Sequence, residues 1–428
     1  MRILKNSFLK NVAVLATGAG MGQALSMIAA PFVARLYGPE VIGLFGVFGS
    51  LTGLFGTFAA LSYPIAIVLP KSERESINIA KLSIYISLGC SVLVGLIMLL
   101  FGNDIFAILG APSLSKVAFL IPIAMMIGVL QQVFSQWLIR NKAFQHIAKY
   151  TVSTSIITVS SKLALGIFYP NVLSLISIGL LSGVVVGLFN FFGWRRSHRH
   201  PKAVDTEKTN SISNIVEIAK KYRDFPIFRM PQNLINGFSQ TLPLLMLSSF
   251  FGASAAGQYS LVISVLLAPT VLIGNSVSSV FYPKINEAIQ NGGNSRALII
   301  KATMGLVVIG LLPFSVIMMF GPTLFEFIFG AEWGVAGHYA QWLALWVFFQ
   351  FINKPAVAAI PSLNLQKGLL IYEVFSTGSK VIALLIGFLV FKSDIVAIGL
   401  FSSFGVLAYL YLILWVIKNS KQGQLNDG

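Results

Sequence analysis

Leu36-Tyr-Gly38-Pro-Glu40, followed by Gly43 and Phe45, breaks one long apolar stretch near the start of the chain. Phe250-Phe-Gly252, followed by Gly257 and Tyr259, breaks another in the second half, and the two breaks lie 214 residues apart, half of the 428-residue sequence. On either side of each break run apolar segments of roughly 20 residues, the length that crosses a ~30 Å hydrocarbon core. Extending outward, twelve such spans can be placed. The first six are 11–36, 41–69, 77–101, 116–139, 150–169 and 171–194; the second six are 229–251, 256–280, 297–320, 336–358, 368–390 and 395–417. The expected fold class is an all-α polytopic membrane protein, with about twelve transmembrane helices in two pseudo-symmetric six-helix lobes. The expected divisions are a lobe over 1–194, a connector over 195–228, a second lobe over 229–417 and a tail over 418–428.

Composition agrees. The chain is 56% apolar and 10% charged, with a mean hydropathy of +0.82, whereas soluble domains carry about 25% charged residues. Pro64, Pro122, Pro243, Pro269 and Pro313 fall inside spans, where neighbouring helices can re-satisfy the freed backbone groups. The apolar run after Lys10 reaches Leu36, too long for a signal-peptide core of about 7–15 residues, so an uncleaved first helix is expected. Cys90 is the one cysteine, so no intrachain disulfide forms. His198 and His200 lie in the basic run Arg195–His200, which reads as a solvated loop rather than a metal site.

The net charge of +16 is a topology signal. With the N-terminus in the cytoplasm, inward segments hold 25 of the 30 Lys and Arg residues; Arg35, Lys116 and Lys392 fall outside, and Lys162 and Lys380 lie within spans. That bias predicts both termini and the connector in the cytoplasm, and no nucleic-acid partner is needed to explain it. Within the connector, Ser211–Arg223 places Ile212, Ile215, Val216 and Ala219 on one helical face, with Lys220, Lys221 and Arg223 at its end. Two readings fit: a helix lying on the anionic inner leaflet, or a tether packed on helix ends.

Further echoes support an internal repeat. Pro70-Lys71 recurs as Pro283-Lys284, and Asn141-Lys142 as Asn353-Lys354. Lys149 followed by Ser161-Lys162 matches Lys367 followed by Ser379-Lys380. Both halves start on the same side, so the repeat is parallel, with its axis along the membrane normal and a cleft expected between the lobes.

Lys162 and Lys380 are the sharpest candidate site residues. Each lies about 12–13 residues into its span, roughly 18–20 Å deep, where a lysine costs about 2.5–3.5 kcal/mol on insertion scales. Thr151, Ser155, Thr158 and Lys162 form one polar stripe; Glu373, Ser376 or Thr377, and Lys380 form its counterpart. The lysines either line a cavity and attract an anionic substrate, or satisfy a structural pairing such as Lys380 with Glu373. Arg229, at the entry of span seven, and Arg35, at the outer end of span one, either mark cavity mouths or snorkel to headgroups. Gln23, Asn233, Asn236, Gln240 and Asn275 suit sugar hydroxyls or interhelical hydrogen bonds. Gly43, Gly46, Gly49, Gly53 and Gly56 read as a small-residue face for close helix packing.

These residues resemble the polysaccharide-transport branch of the MOP superfamily, the oligosaccharide-unit flippases of the Wzx type. The likeness is carried by Tyr222-Arg-Asp-Phe-Pro226, Gln240-Thr-Leu-Pro243, Phe251-Gly252, Gly257-Gln-Tyr259, Pro269, Ile273-Gly274, Phe281-Tyr-Pro283 and Arg35-Leu-Tyr-Gly-Pro-Glu40 with Gly43 and Phe45. Ala253-Ser254 replaces the Pro-Glu pair expected after the second glycine. The resemblance implies two six-helix lobes as in MATE proteins, a cationic cavity and alternating access. It implies translocation of undecaprenyl-diphosphate-linked oligosaccharides across the bacterial inner membrane, for O-antigen, capsule or exopolysaccharide. H+ or Na+ as coupling ion and polymerase or chain-length partners are compatible with it.

The alternative is a MATE-like multidrug or cation antiporter, whose coupling needs a buried carboxylate. In the first half Glu40, Glu73, Glu75 and Asp104 all fall in loops or at their edges, and buried lysines repel cationic drugs. An enzyme is not expected: outward connections such as 102–115 and 321–335 are too short to build a site. No nucleotide-binding or metal motif is present, and no cofactor is expected.

Overall fold

The computed structural model describes residues 2–197, 211–290 and 293–420. The loop that holds His198 and His200, and the tail beyond 420, lie outside the described residues, as does the side chain of Asn275. Among the described residues there are twelve α-helices and no strand: α1 (Arg2–Phe58), α2 (Glu73–Ile108), α3 (Leu120–Arg140), α4 (Phe144–Phe168), α5 (Val172–Ser197), α6 (Ser211–Lys221), α7 (Met230–Gln290), α8 (Ser295–Phe329), α9 (Gly334–Ile352), α10 (Lys354–Ala359), α11 (Gln366–Leu389) and α12 (Asp394–Asn419).

Among the described residues ten stretches are long and apolar enough to cross a membrane, and two of them are double. Thr17–Phe58 and Phe225–Thr270 hold 42 and 46 residues, about 65 Å of helix, twice a ~30 Å core. Each bends at its predicted break. Gly38 has φ 69° and ψ 171°, and Gly252 has φ 85° and ψ 174°, a backbone region that essentially only glycine occupies. Counting each doubled helix as two spans gives the twelve expected.

The chain divides into two compact units, residues 1–257 and 258–428. In the first, α1 packs on α4, α3 on α5, and α2 on α3. The two glycine turns meet here reciprocally. A Cβ at Gly43 would lie 1.7 Å from the Ala253 carbonyl oxygen, and one at Gly257 would lie 1.8 Å from that of Pro39. Nearby, the Ser248 and Ser249 hydroxyls donate to the carbonyls of Leu109 (2.6 Å) and Ile108 (2.5 Å). The remaining glycines of the expected packing face behave differently: a Cβ at Gly49, Gly53 or Gly56 would meet nothing within 4 Å. Only Gly43 of that stripe is shown in tight packing, because only there do two turns converge.

On the face that carries the chain start, the span after Gly38 ends at Phe58 and continues as a short 3-10 turn, Tyr63–Val68. Arg140 clamps the end of this turn and the link to α2, donating to the carbonyls of Ile67 (3.2 Å), Pro70 (2.5 Å), Lys71 (3.3 Å) and Ser72 (3.3 Å). The helix of the connector is docked rather than free. Lys221 pairs with Glu75, Tyr222 donates to the same carboxylate (3.1 Å), and Tyr63 donates to the Ala219 carbonyl (3.1 Å). This anchoring sets its rotation: Ile218 is buried while Val216, expected on the apolar face, is exposed. The hydrogen bond to Glu75 raises the Lys221 ammonium above its ordinary pKa. Burial first, then the bond to Glu75, raises the Tyr222 phenol.

In the second unit, α9 packs on α8 and α12, with Trp333 at its start and its own Tyr339 fully buried. The Tyr339 hydroxyl bonds the Asp394 carboxylate, and Gln258 bridges the Glu332 carbonyl (2.7 Å) and the Ala336 amide (2.8 Å).

Candidate functional site

Lys162 is placed by the kink at Gly38. Tyr37, just before it, is 4% exposed and donates its hydroxyl to the Lys162 carbonyl at 3.0 Å. Gly166 makes room for that ring, since a Cβ there would come within 2.8 Å of it. Phe45, seven residues past the kink, lies with its ring centroid 5.4 Å from the Lys162 Nζ. The ammonium thus rests on an aromatic face, an attraction that strengthens when desolvated. Lys380 also meets an aromatic, Phe401 on α12, at 5.9 Å. The repeat is not exact at this contact: one lysine uses the second span of its half, the other uses the last.

Neither lysine has a carboxylate within ion-pair distance among the described residues. Glu373, two helical turns from Lys380, is exposed. Lys162 is six residues from the end of α4, and Lys380 is nine from the end of α11, roughly 9 Å and 14 Å.

Ser155 and Thr158 of the polar stripe line a cavity of about 300 Å³ with Ser26 and Gln131. Their helix absorbs much of that polarity: Thr151, Thr154 and Ser155 donate to the carbonyls of Ile147 (2.8 Å), Tyr150 (2.7 Å) and Thr151 (2.9 Å). Gln131 donates to the Gly183 carbonyl at 2.7 Å. In the second unit, Ser376 and Ser379 edge an aromatic groove of about 570 Å³ between α11 and α12, with Tyr372 stacked on Tyr411.

Arg229 closes a π-turn, Phe225–Arg229, that leads into α7, and donates to Gln232 at 3.0 Å. Arg35 is exposed near the end of the first span, as is Gln23 within it. Gln240 donates to Asn236 one turn back at 2.5 Å, and Asn233 donates to Ser62, in the turn that follows α1, at 3.3 Å. The structure therefore gathers Asn233 and Asn236, but not Gln240, around a second polar cavity of about 280 Å³, whose wall also includes Gln132. Gln132 and the Arg140 clamp were missed by the sequence reading. Gln131-Gln132 in an otherwise apolar span was the available signal for the first; a lone interfacial arginine offers none.

Residues 8–289, about two thirds of the chain, match the family described as "Polysaccharide biosynthesis protein". The chain belongs to that family. Among curated relatives, this family member is 22% identical over 325 residues to the succinoglycan biosynthesis transport protein ExoT of Rhizobium meliloti (strain 1021), covering 75% of the chain and 62% of that protein. Its fold is shared with solved structures of low identity. The lipid II flippase MurJ in an inward closed conformation has a TM-score of 0.69 at 16% identity, over 97% of this chain and 90% of that one. An inward-facing MATE transporter of the MOP superfamily scores 0.66 at 17%, over 97% and 100%. A MOP superfamily transporter from Pyrococcus furiosus Vc1 (DSM3638), whose binding pocket is described as having reverse polarity, scores 0.61 at 17%, over 96% of each chain. The protein is a multi-pass membrane protein that shares its fold with these transporters.

Proposed function

We propose that the protein flips undecaprenyl-diphosphate-linked oligosaccharide units across the bacterial inner membrane by alternating access. It is not an enzyme in this reading: no covalent bond changes. The observation that carries it is the pair of intramembrane lysines on equivalent helices, each against an aromatic ring and neither within ion-pair distance of a carboxylate among the described residues, although Glu373 acts on Lys380 from further away. A diphosphate entering a low-dielectric site requires positive partners, and these supply them; a cationic drug would be repelled. Family membership and the transport function in the name of the succinoglycan relative support the same reading.

The cytoplasm holds both termini and the connector, following the 25-to-3 asymmetry of basic residues. The lobes are 1–194 and 229–417, joined by 195–228. Transport is coupled to H+ or Na+, and the cargo passes to a polymerase or chain-length partner on the far side. Lys162 and Lys380 bind the diphosphate, Arg229 and Arg35 mark the two mouths, and Gln240 and Glu373 edge the path. A clean deletion in a strain with no second flippase should stop export and accumulate lipid-linked units on the cytoplasmic face. Undiminished export would overturn the proposal.

A further inference from the structure

The cavity near the chain-start face has a chemistry unlike the lysine sites. Its polar lining is neutral: Thr57 and Ser62 from the end of the second span, Gln132 from α3, and Asn233 and Asn236 from the start of α7. Three amides carry hydrogen-bonding groups left over from the protein's own bonds. Asn233 uses its NH2 on Ser62, and its carbonyl has no protein partner among the described residues. Asn236 receives Gln240 on its carbonyl, which leaves its NH2 for the cavity. Gln132 is exposed to the space and has neither end engaged. Donors and acceptors of one ligand would thus meet both kinds of group. An anion would be desolvated here without a counter-charge, and a lipid chain would leave the amides unpaired. A polyhydroxylated neutral group satisfies both sets.

The floor is bare as well. Gly56 forms part of the wall, and a Cβ there would meet nothing within 4 Å; Gly53 and Gly49, one and two turns further along the same helix, are equally open. The open face therefore continues from the amide cavity toward the level of Phe45 and Lys162.

We propose that this cavity is a saccharide subsite, in which Gln132, Asn233 and Asn236 hydrogen-bond the sugars of the cargo separately from the groups that hold its diphosphate. This inference rests on the flippase reading and adds a second, neutral site to it. It also gives the glycine face a role: a larger side chain there would block the sugar.

The test uses the full chain in lipid nanodiscs and two probes, undecaprenyl diphosphate and the undecaprenyl-diphosphate-linked repeat unit extracted from the deletion strain. Wild-type protein should bind the repeat unit more tightly than the bare lipid diphosphate. Gly56→Leu, which projects into open space, and Asn236→Leu should each weaken repeat-unit binding by about tenfold, the size of one or two net hydrogen bonds. Each should leave undecaprenyl diphosphate affinity within about twofold of wild type, which also reports an intact fold. Equal wild-type affinity for the two probes, or unchanged repeat-unit binding in both variants, overturns the saccharide subsite while leaving the flippase reading to its export assay. Failure of wild-type protein to bind either probe would sink both.

Discussion

Gly43 and Gly257 stand in the same relation to each other's turn: the first abuts the carbonyl of Ala253, the second that of Pro39. Gly43 and Gly257, like Pro39 and Ala253, are separated by the repeat offset of 214, so the contact is self-complementary, as a two-fold relation requires. Each approach leaves no room for even a methyl group. Alternating access needs contacts that form in one state and part in another, and this one is all or none.

Gly43→Ala and Gly257→Ala should therefore force the two turns apart. In a Cys90→Ser background, a cysteine at Ala255, 8% exposed in the closed contact, should react several-fold faster with a maleimide when either alanine is present. Labelling at the wild-type rate would mean that the turns accommodate the methyl by local adjustment, and the contact would not be a gate.

The Arg140 clamp predicts a stability effect. Its guanidinium serves four carbonyls of the segment between the second and third spans, and Ile67 among them is fully buried. Lysine keeps the charge but loses the planar fork. Since hydrogen bonds to charged groups are worth about 1.5–3 kcal/mol, Arg140→Lys should cost roughly that much and lower the unfolding midpoint of the purified protein. Arg140→Ala should cost more. An unchanged midpoint for both would show that water replaces the clamp.

The connector helix predicts a pH response whose sign is set by Lys221. Its pKa is raised by the bond to Glu75, so the tether is fully present below the ordinary lysine value of about 10.4. It is lost as pH climbs through the raised value. Hydrogen-exchange protection of residues 215–221 should hold from pH 7 to about 10 and fall above it. Because the pair is exposed, salt should weaken it. Glu75→Gln should abolish the pH-dependent part; an identical profile in that variant would remove the pair from the docking.

The breaks at Gly38 and Gly252 were legible in the sequence because a repeated glycine between apolar runs has few other uses. The lysine-bearing helices were legible for a similar reason, since charge inside a span is costly enough to stand out. What could not be read was which face each polar residue turns to. The glycine stripe of the second span has the spacing of a packing face, yet Gly49, Gly53 and Gly56 face open space; spacing fixes a face, not its partner. The same holds for the connector, where a bond at Glu75 rather than the apolar moment decides that Ile218 is buried and Val216 is not.

Lys162 and Lys380 carry the most direct prediction about transport. Each supplies one positive charge within its own unit, which an anionic cargo needs in a low-dielectric site. Lys162→Ala and Lys380→Ala should each cut glycan export by about tenfold or more, a loss of at least ~1.4 kcal/mol, with normal amounts of inserted protein. Arginine should rescue in part, and glutamate should be worse than alanine, because it repels the diphosphate. The competing structural role predicts lower abundance instead, with Glu373→Gln compensating for Lys380→Ala. Glu373 and Lys380 are not within ion-pair distance but still act on each other's charge, so compensation should be weak and should not restore export. Wild-type export by a stable Lys162→Ala, Lys380→Ala double variant would take both residues out of the mechanism, and the anionic group would have to be held by Arg229 or Arg35.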